Sequence, residues 1–104
     1  MEDRVLIGTE LKYKVEIEAS GFSMDENDFT VEVRRGTRSK LFEKPDMIIH
    51  ETESGNEYYI AFDTSELGTG KYDFITRAYV PDDDFEDGLR TEVDKQTLVI
   101  VNKL

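Results

Sequence analysis

The chain contains no cysteine. That absence excludes disulfides, thiolate nucleophiles and cysteine-ligated zinc together. Tryptophan is also missing, and His50 is the single histidine. A lone histidine without cysteine partners is far more often structural than catalytic or metal-ligating. No apolar run approaches a membrane span, and the longest plain one is Leu98-Val99-Ile100-Val101. The start, Met1-Glu2-Asp3-Arg4, lacks the basic and apolar regions of a signal peptide, so a cytoplasmic protein is expected. Neither a Gly-x-Ser-x-Gly elbow nor a glycine-rich lysine loop occurs. The expectation is therefore no enzyme and no cofactor.

What is present is charge. Acidic residues number 24 against 13 basic ones, a net charge of −11. Phosphate backbones and anionic membrane surfaces would both repel such a chain, so neither nucleic acid nor membrane is an expected partner. With 104 residues the chain has the length of one domain, 1–104, with one modest core.

The apolar residues alternate. Leu11, Tyr13, Val15 and Ile17 fall on one face of a strand, with Lys12, Lys14, Glu16 and Glu18 on the other. That period of two marks a strand with one buried and one wet face. The same pattern recurs at Phe29-Val31-Val33, Tyr58-Ile60-Phe62 and Tyr72-Phe74-Thr76-Ala78. Leu98 to Val101 is apolar on both faces and reads as a more central strand. Val5-Leu6-Ile7, Lys40-Leu41-Phe42 and Met47-Ile48-Ile49 are weaker candidates. Turn signals separate these segments, and Thr64 to Leu67 is the one place for a helical turn. Short strands punctuated in this way predict an all-β sandwich or barrel. The expected core includes Leu11, Val15, Ile17, Val31, Val33, Ile60, Phe62, Tyr72 and Phe74.

Residues 63–74 contain a short turn ending in Leu67, then Gly70-Lys71-Tyr72 opening an alternating strand. This resembles the corner between the fifth and sixth strands of immunoglobulin-like sandwiches, where a tyrosine bonds back to the backbone. The resemblance implies a single immunoglobulin-like antiparallel sandwich of about seven strands. With Gly8-Thr9-Glu10-Leu11 near the start, the layout also resembles small immunoglobulin-like domains of phage and prophage tail and baseplate proteins. That likeness implies a virion component acting through protein contacts.

Two charge clusters stand out. Arg34, Arg35, Arg38, Lys40 and Lys44 surround the Gly36 turn, and Asp82, Asp83, Asp84, Glu86 and Asp87 crowd the loop after Pro81. Calcium is chemically reasonable for such a loop, but the EF-hand template fits badly because Phe85 falls where a ligand should. A solvated hairpin tip is the plainer reading of the acids, and balancing of surface charge that of the bases. The functional reading is that Arg34, Arg35, Arg38 and Lys40 meet Asp82, Asp83, Asp84 and Asp87 of a neighbouring copy or another protein. Tyr59 and Tyr79, with Ile75, point away from the expected core. They suggest a protein-contact strip or, as the alternative, the stacking platform of a small carbohydrate- or ligand-binding sandwich. Cover by the segment 43–56 is a third reading of that face.

Overall fold

The computed structural model describes residues 4–44, 48–53 and 55–103. The strands are β1 (Arg4–Leu6), β2 (Glu10–Val15), β3 (Phe29–Arg35), β4 (Arg38–Glu43), β5 (Ile49–Glu51), β6 (Glu57–Asp63), β7 (Gly70–Pro81) and β8 (Leu89–Val101). A 3₁₀ turn, Thr64–Glu66, follows β6 where the helical turn was expected. Of the weak candidates, Met47 and the turn residue Ser54 lie outside the described residues.

The strands form two sheets, β1-β8-β7-β3-β4 and β2-β6-β5. This is the immunoglobulin-like arrangement, with β4 as the added strand that raises the described total to eight. One pair departs from the expected antiparallel order, because β1 runs parallel to β8 from Arg4↔Val99 to Leu6↔Val101. The turn around Gly8 hands the chain to the other sheet, so no hairpin constrains β1 to oppose its neighbour. In contrast, Arg35 pairs with Arg38 across a two-residue loop whose Gly36 has φ +58°. Thr37 does not share the positive φ, which makes this a II′-type turn with glycine at its first central position.

The core lies where β2, β6 and β5 cover β3, β7 and the end of β8. Val15, Tyr58, Ile60 and Phe62 meet Phe29, Val31, Val33, Tyr72, Phe74 and Ile100, all buried. Phe62 sits at its centre, with ring centroids 6.0 Å from Phe74, 6.1 Å from Phe42 and 6.3 Å from Tyr72. Leu11 and Ile17 pack against this cluster but are only half-buried. For Ile17 the reason is that β2 ends at Val15, two residues earlier than the alternation predicts.

The largest departure from expectation is β8. It spans thirteen residues, and the acidic loop shrinks to 82–88. The inward side of β8 carries Glu92, Asp94 and Gln96, because the three-stranded sheet does not reach over it. All three are exposed.

The corner from β6 to β7 matches the predicted geometry. Tyr72 shares its hydroxyl proton between the carbonyls of Thr64, at 2.8 Å, and Gly68, at 2.5 Å. Leu67 is buried beside it. Removing the Leu67 side chain with Leu67→Ala should cost about 3 kcal/mol, as a buried leucine leaving a cavity. Tyr72→Phe should cost about 1 kcal/mol, because only the hydroxyl's bonds go. Urea unfolding monitored by circular dichroism measures both, and equal near-zero losses would contradict the corner.

Candidate functional site

The basic cluster does not form one patch. Alternation along β3 sends Arg34 to the outer face of the large sheet, where it binds Glu32 through two nitrogens at 2.9 and 3.1 Å. Arg77 reaches the same carboxylate at 3.1 Å. Partial burial is the largest single influence on Glu32 and pushes its carboxyl up, but the two guanidinium groups together outweigh it and hold Glu32 below the usual carboxylate range. Arg35 points to the opposite side, where its Nε donates to the Leu67 carbonyl and its aliphatic stem lies against Gly70. A Cβ at Gly70 would stand 3.3 Å from Arg35 Cδ, so glycine there permits the guanidinium to reach the corner. Lys40 pairs with Glu66 at 2.7 Å. Lys44 lies at the far end of β4, donates to the carbonyls of Met24 and Asn27, and sits 4.9 Å above the Phe29 ring. Among the described residues, Arg38 alone of this group has a side chain that makes no hydrogen bond or ion pair.

The acidic loop is partly self-satisfied as well. Asp82 accepts from the Asp84 amide at 3.0 Å and from Arg90 at 2.5 Å, which together hold its carboxyl below the usual range. Asp87 accepts from the Leu89 amide at 3.1 Å. The carboxylates of Asp83 and Asp84 remain exposed with no partner among the described residues. No group of three or more acids and histidines converges on a metal-sized space among those residues.

Tyr59 and Tyr79 do not share a surface. Tyr59 lies on the outer face of the small sheet, with Lys12 Nζ 4.5 Å above its ring. Tyr79 lies on the outer face of the large sheet, beside Leu41 and Arg77 in a shallow depression. Ile75 shares that outer face but is buried by its neighbours. A single aromatic platform is thereby excluded. The described part of the segment 43–56 contributes β5 to the sheet edge, where Ile49 pairs with Tyr59.

Sequence reasoning missed a polar cluster that ties two distant loops together. Asp25 accepts from the Tyr58 hydroxyl and from Asn56 Nδ2 at 2.8 and 3.0 Å. His50 stacks on the Tyr58 ring at 4.2 Å and 6°, with its Nε2 2.5 Å from Asn56 Oδ1. Asp25 looked like an ordinary turn acid because its partner is thirty-three positions away. The Tyr58 bond, then the Asn56 bond, hold the Asp25 carboxyl below its usual range. Burial first, and Asp25 second, push the Tyr58 hydroxyl up to about 12.

No protein-family model and no curated protein matches the sequence. Among solved structures, the X-ray structure of the endo-beta-1,4-mannanase from Thermotoga petrophila is similar, with a TM-score of 0.61 and 16% identity. The match covers 99% of this chain but 18% of that one, and at this identity it speaks for the fold alone. Among the described residues no helix is long and apolar enough to cross a membrane.

The Asp25–Tyr58 bond carries a pH signature. A carboxyl lowered by folding stabilises the fold above its unfolded value near 3.8. That contribution is lost as pH falls through the lower folded value. A tyrosine raised by folding contributes below its unfolded value near 10.0, and the contribution disappears as pH rises toward about 12. Asp25→Asn should therefore melt below the parent chain at neutral pH. The gap should close as pH drops below about 3.8, measured by thermal denaturation across the acid range. A gap independent of pH would show that the carboxylate's charge is not what Tyr58 and Asn56 recognise.

Proposed function

We propose that this chain is a non-catalytic assembly module that works through protein contacts, including contacts between its own copies. The cytoplasm, or a virion assembled there, is its setting. The observation carrying this reading is the placement of the two charged turns. The Gly36 turn lies at the Asp73 end of β7, and the acidic loop follows Pro81 at the other end. Eight residues of strand separate them, about 26 Å at ~3.3 Å per residue. They cannot meet within one chain, but a head-to-tail neighbour would bring Arg38 of one copy to Asp83 and Asp84 of the next. The likeness of Gly8–Leu11 and Gly70–Tyr72 to phage tail and baseplate domains supports the virion setting.

The side chains available for chemistry support the same reading. Arg34, Arg35, Lys40, Lys44, Asp82 and Asp87 are all engaged in contacts within the fold. A glycan platform, the alternative, would need neighbouring outward aromatics, and Tyr59 and Tyr79 occupy opposite faces.

Sedimentation velocity tests the proposal. Association at low ionic strength should weaken as salt rises, because exposed charges are screened within about 10 Å at 0.1 M. Arg38→Glu should abolish it, and adding Asp83→Lys with Asp84→Lys should restore part of it. Arg35 is left intact in this design because its guanidinium holds the corner. A monomer at high concentration and low salt would sink the contact between copies.

A further inference from the structure

We infer that the free edge of β8 is a docking site for an extended, lysine- or arginine-bearing segment of a partner protein, added as a further strand of the large sheet. The inference rests on the reading of the chain as a protein-contact module and names a class of partner for it.

The edge follows from the hydrogen-bond phase of the hairpin. The Asp82 amide donates to the Gly88 carbonyl at 2.9 Å, which makes that pair a bonded one. Bonded and non-bonded pairs alternate along an antiparallel ladder, so Arg90, Glu92 and Asp94 turn their backbone groups toward β7. Thr91, Val93 and Lys95 must turn theirs away. The far end confirms the phase, since the odd-numbered Val101 gives its carbonyl to the Ile7 amide at 2.8 Å on the β1 side. β1, however, covers β8 only at Val99–Val101. Among the described residues, nothing pairs with the outward amides and carbonyls of Thr91, Val93 and Lys95. Every residue from Thr91 to Thr97 is exposed, Val93 to 61%. A strand edge with open donors and acceptors is a template for a further strand.

The chemistry of the occupant comes from the groove beneath this edge. Two adjoining open cavities of about 360 and 380 Å³ separate β8 from β2 and the residues that follow it, and they share Glu16, Thr76 and Asp94. Glu18 and Glu92 line the first cavity with them, over a floor that includes Ile17 and Ala78. Lys14 is the cation in the second, held by Glu57 at 2.5 Å and 3.5 Å from Glu16, and Arg90 pairs with Glu92 at 3.3 Å, which leaves Glu18 and Asp94 without a cation among the described residues. Alternate side chains of an added strand would enter this groove and meet four carboxylates. Lysine or arginine fits there, with the methylenes on the apolar floor and the charge among the acids. The same acids disfavour a second copy, since pairing β8 with another β8 would set Glu92 and Asp94 against their own kind.

The test uses the full chain and a short peptide alternating lysine with valine. Its controls are a peptide with glutamate for lysine, and the lysine peptide N-methylated on alternate amides. Amide shifts in two-dimensional NMR should move at Thr91, Val93 and Lys95 with the lysine peptide and with neither control. Glu92→Lys with Asp94→Lys, both exposed, should weaken lysine-peptide binding at least about tenfold. Val93→Pro removes an outward donor while sparing the bonds to β7, and should also weaken binding. Each variant's circular dichroism must match the parent.

Shifts centred elsewhere, equal binding of both peptide charges, or indifference to the charge reversal would overturn the inference. So would exchange protection of Thr91–Lys95 that grows with the concentration of the chain alone, which would give the edge to a second copy. These readouts are separate from association between the Gly36 turn and the acidic loop. Either proposal can therefore fail without the other.

Discussion

The corner between β6 and β7 is the constraint on which the sandwich depends. There the chain leaves one sheet and enters the other within the span Thr64 to Thr69. Such a tight crossing turns backbone carbonyls toward the interior, where an unpaired acceptor is costly. Tyr72 answers the carbonyls of Thr64 and Gly68, and Arg35 answers that of Leu67. The Thr64 hydroxyl then links the corner to the β1–β2 turn, accepting from the Gly8 amide at 2.8 Å and donating to the Thr9 carbonyl at 3.0 Å. Strands β1, β2, β3, β6 and β7 are thus positioned relative to one another by a few polar atoms. The aromatic core around Phe62 fills the space that this geometry fixes.

The same corner explains what could be read from the letters. Leu67 and Tyr72 were legible because a buried leucine and a glycine-preceded tyrosine have few other uses at that spacing. The alternating strands were legible because one of their faces meets the other sheet. Arg35 was not, since a guanidinium that binds a carbonyl thirty-two positions away looks like any surface cation. Most of β8 was hidden for a related reason. Its inward positions Glu92, Asp94 and Gln96 lie beyond the small sheet, so no apolar residue is required there and no alternation is written. The Asp25–Tyr58–Asn56–His50 cluster is equally silent in sequence, because its members come from three separate segments.

Charge is used unevenly in this molecule. Its scarce cations are mostly committed to internal tasks: Arg34 and Arg77 to Glu32, Lys14 to Glu57, Arg90 to Asp82 and Glu92. Exposed pairs of this kind add little stability each. Their larger effect is on what remains, since each satisfied cation leaves the surplus carboxylates to dominate the exterior. The carboxylates left over account for the net charge of −11. Like-charged copies repel at long range, and close contact between them needs a local reversal such as Arg38 facing Asp83.

The free edge of β8 then presents a problem that the carboxylates resolve. An exposed strand of this length, with Val93 outward and amides unpaired among the described residues, is a hazard for uncontrolled pairing. Charged residues on the inward side of an edge are one established defence, because pairing with a like copy buries repulsion together with the new hydrogen bonds. That defence is selective by construction. The repulsion that keeps an identical or neutral strand away becomes attraction when the incoming strand carries lysine or arginine at alternate positions. In the proposed docking, Glu92 and Asp94 would serve two ends with one set of charges, keeping the edge open and deciding what closes it. An edge blunted by proline or by a bulge would be equally safe from aggregation but would accept nothing. β8 keeps a regular ladder through Glu92 and Asp94, with neither device, and so retains the hydrogen-bonding face that a partner strand requires.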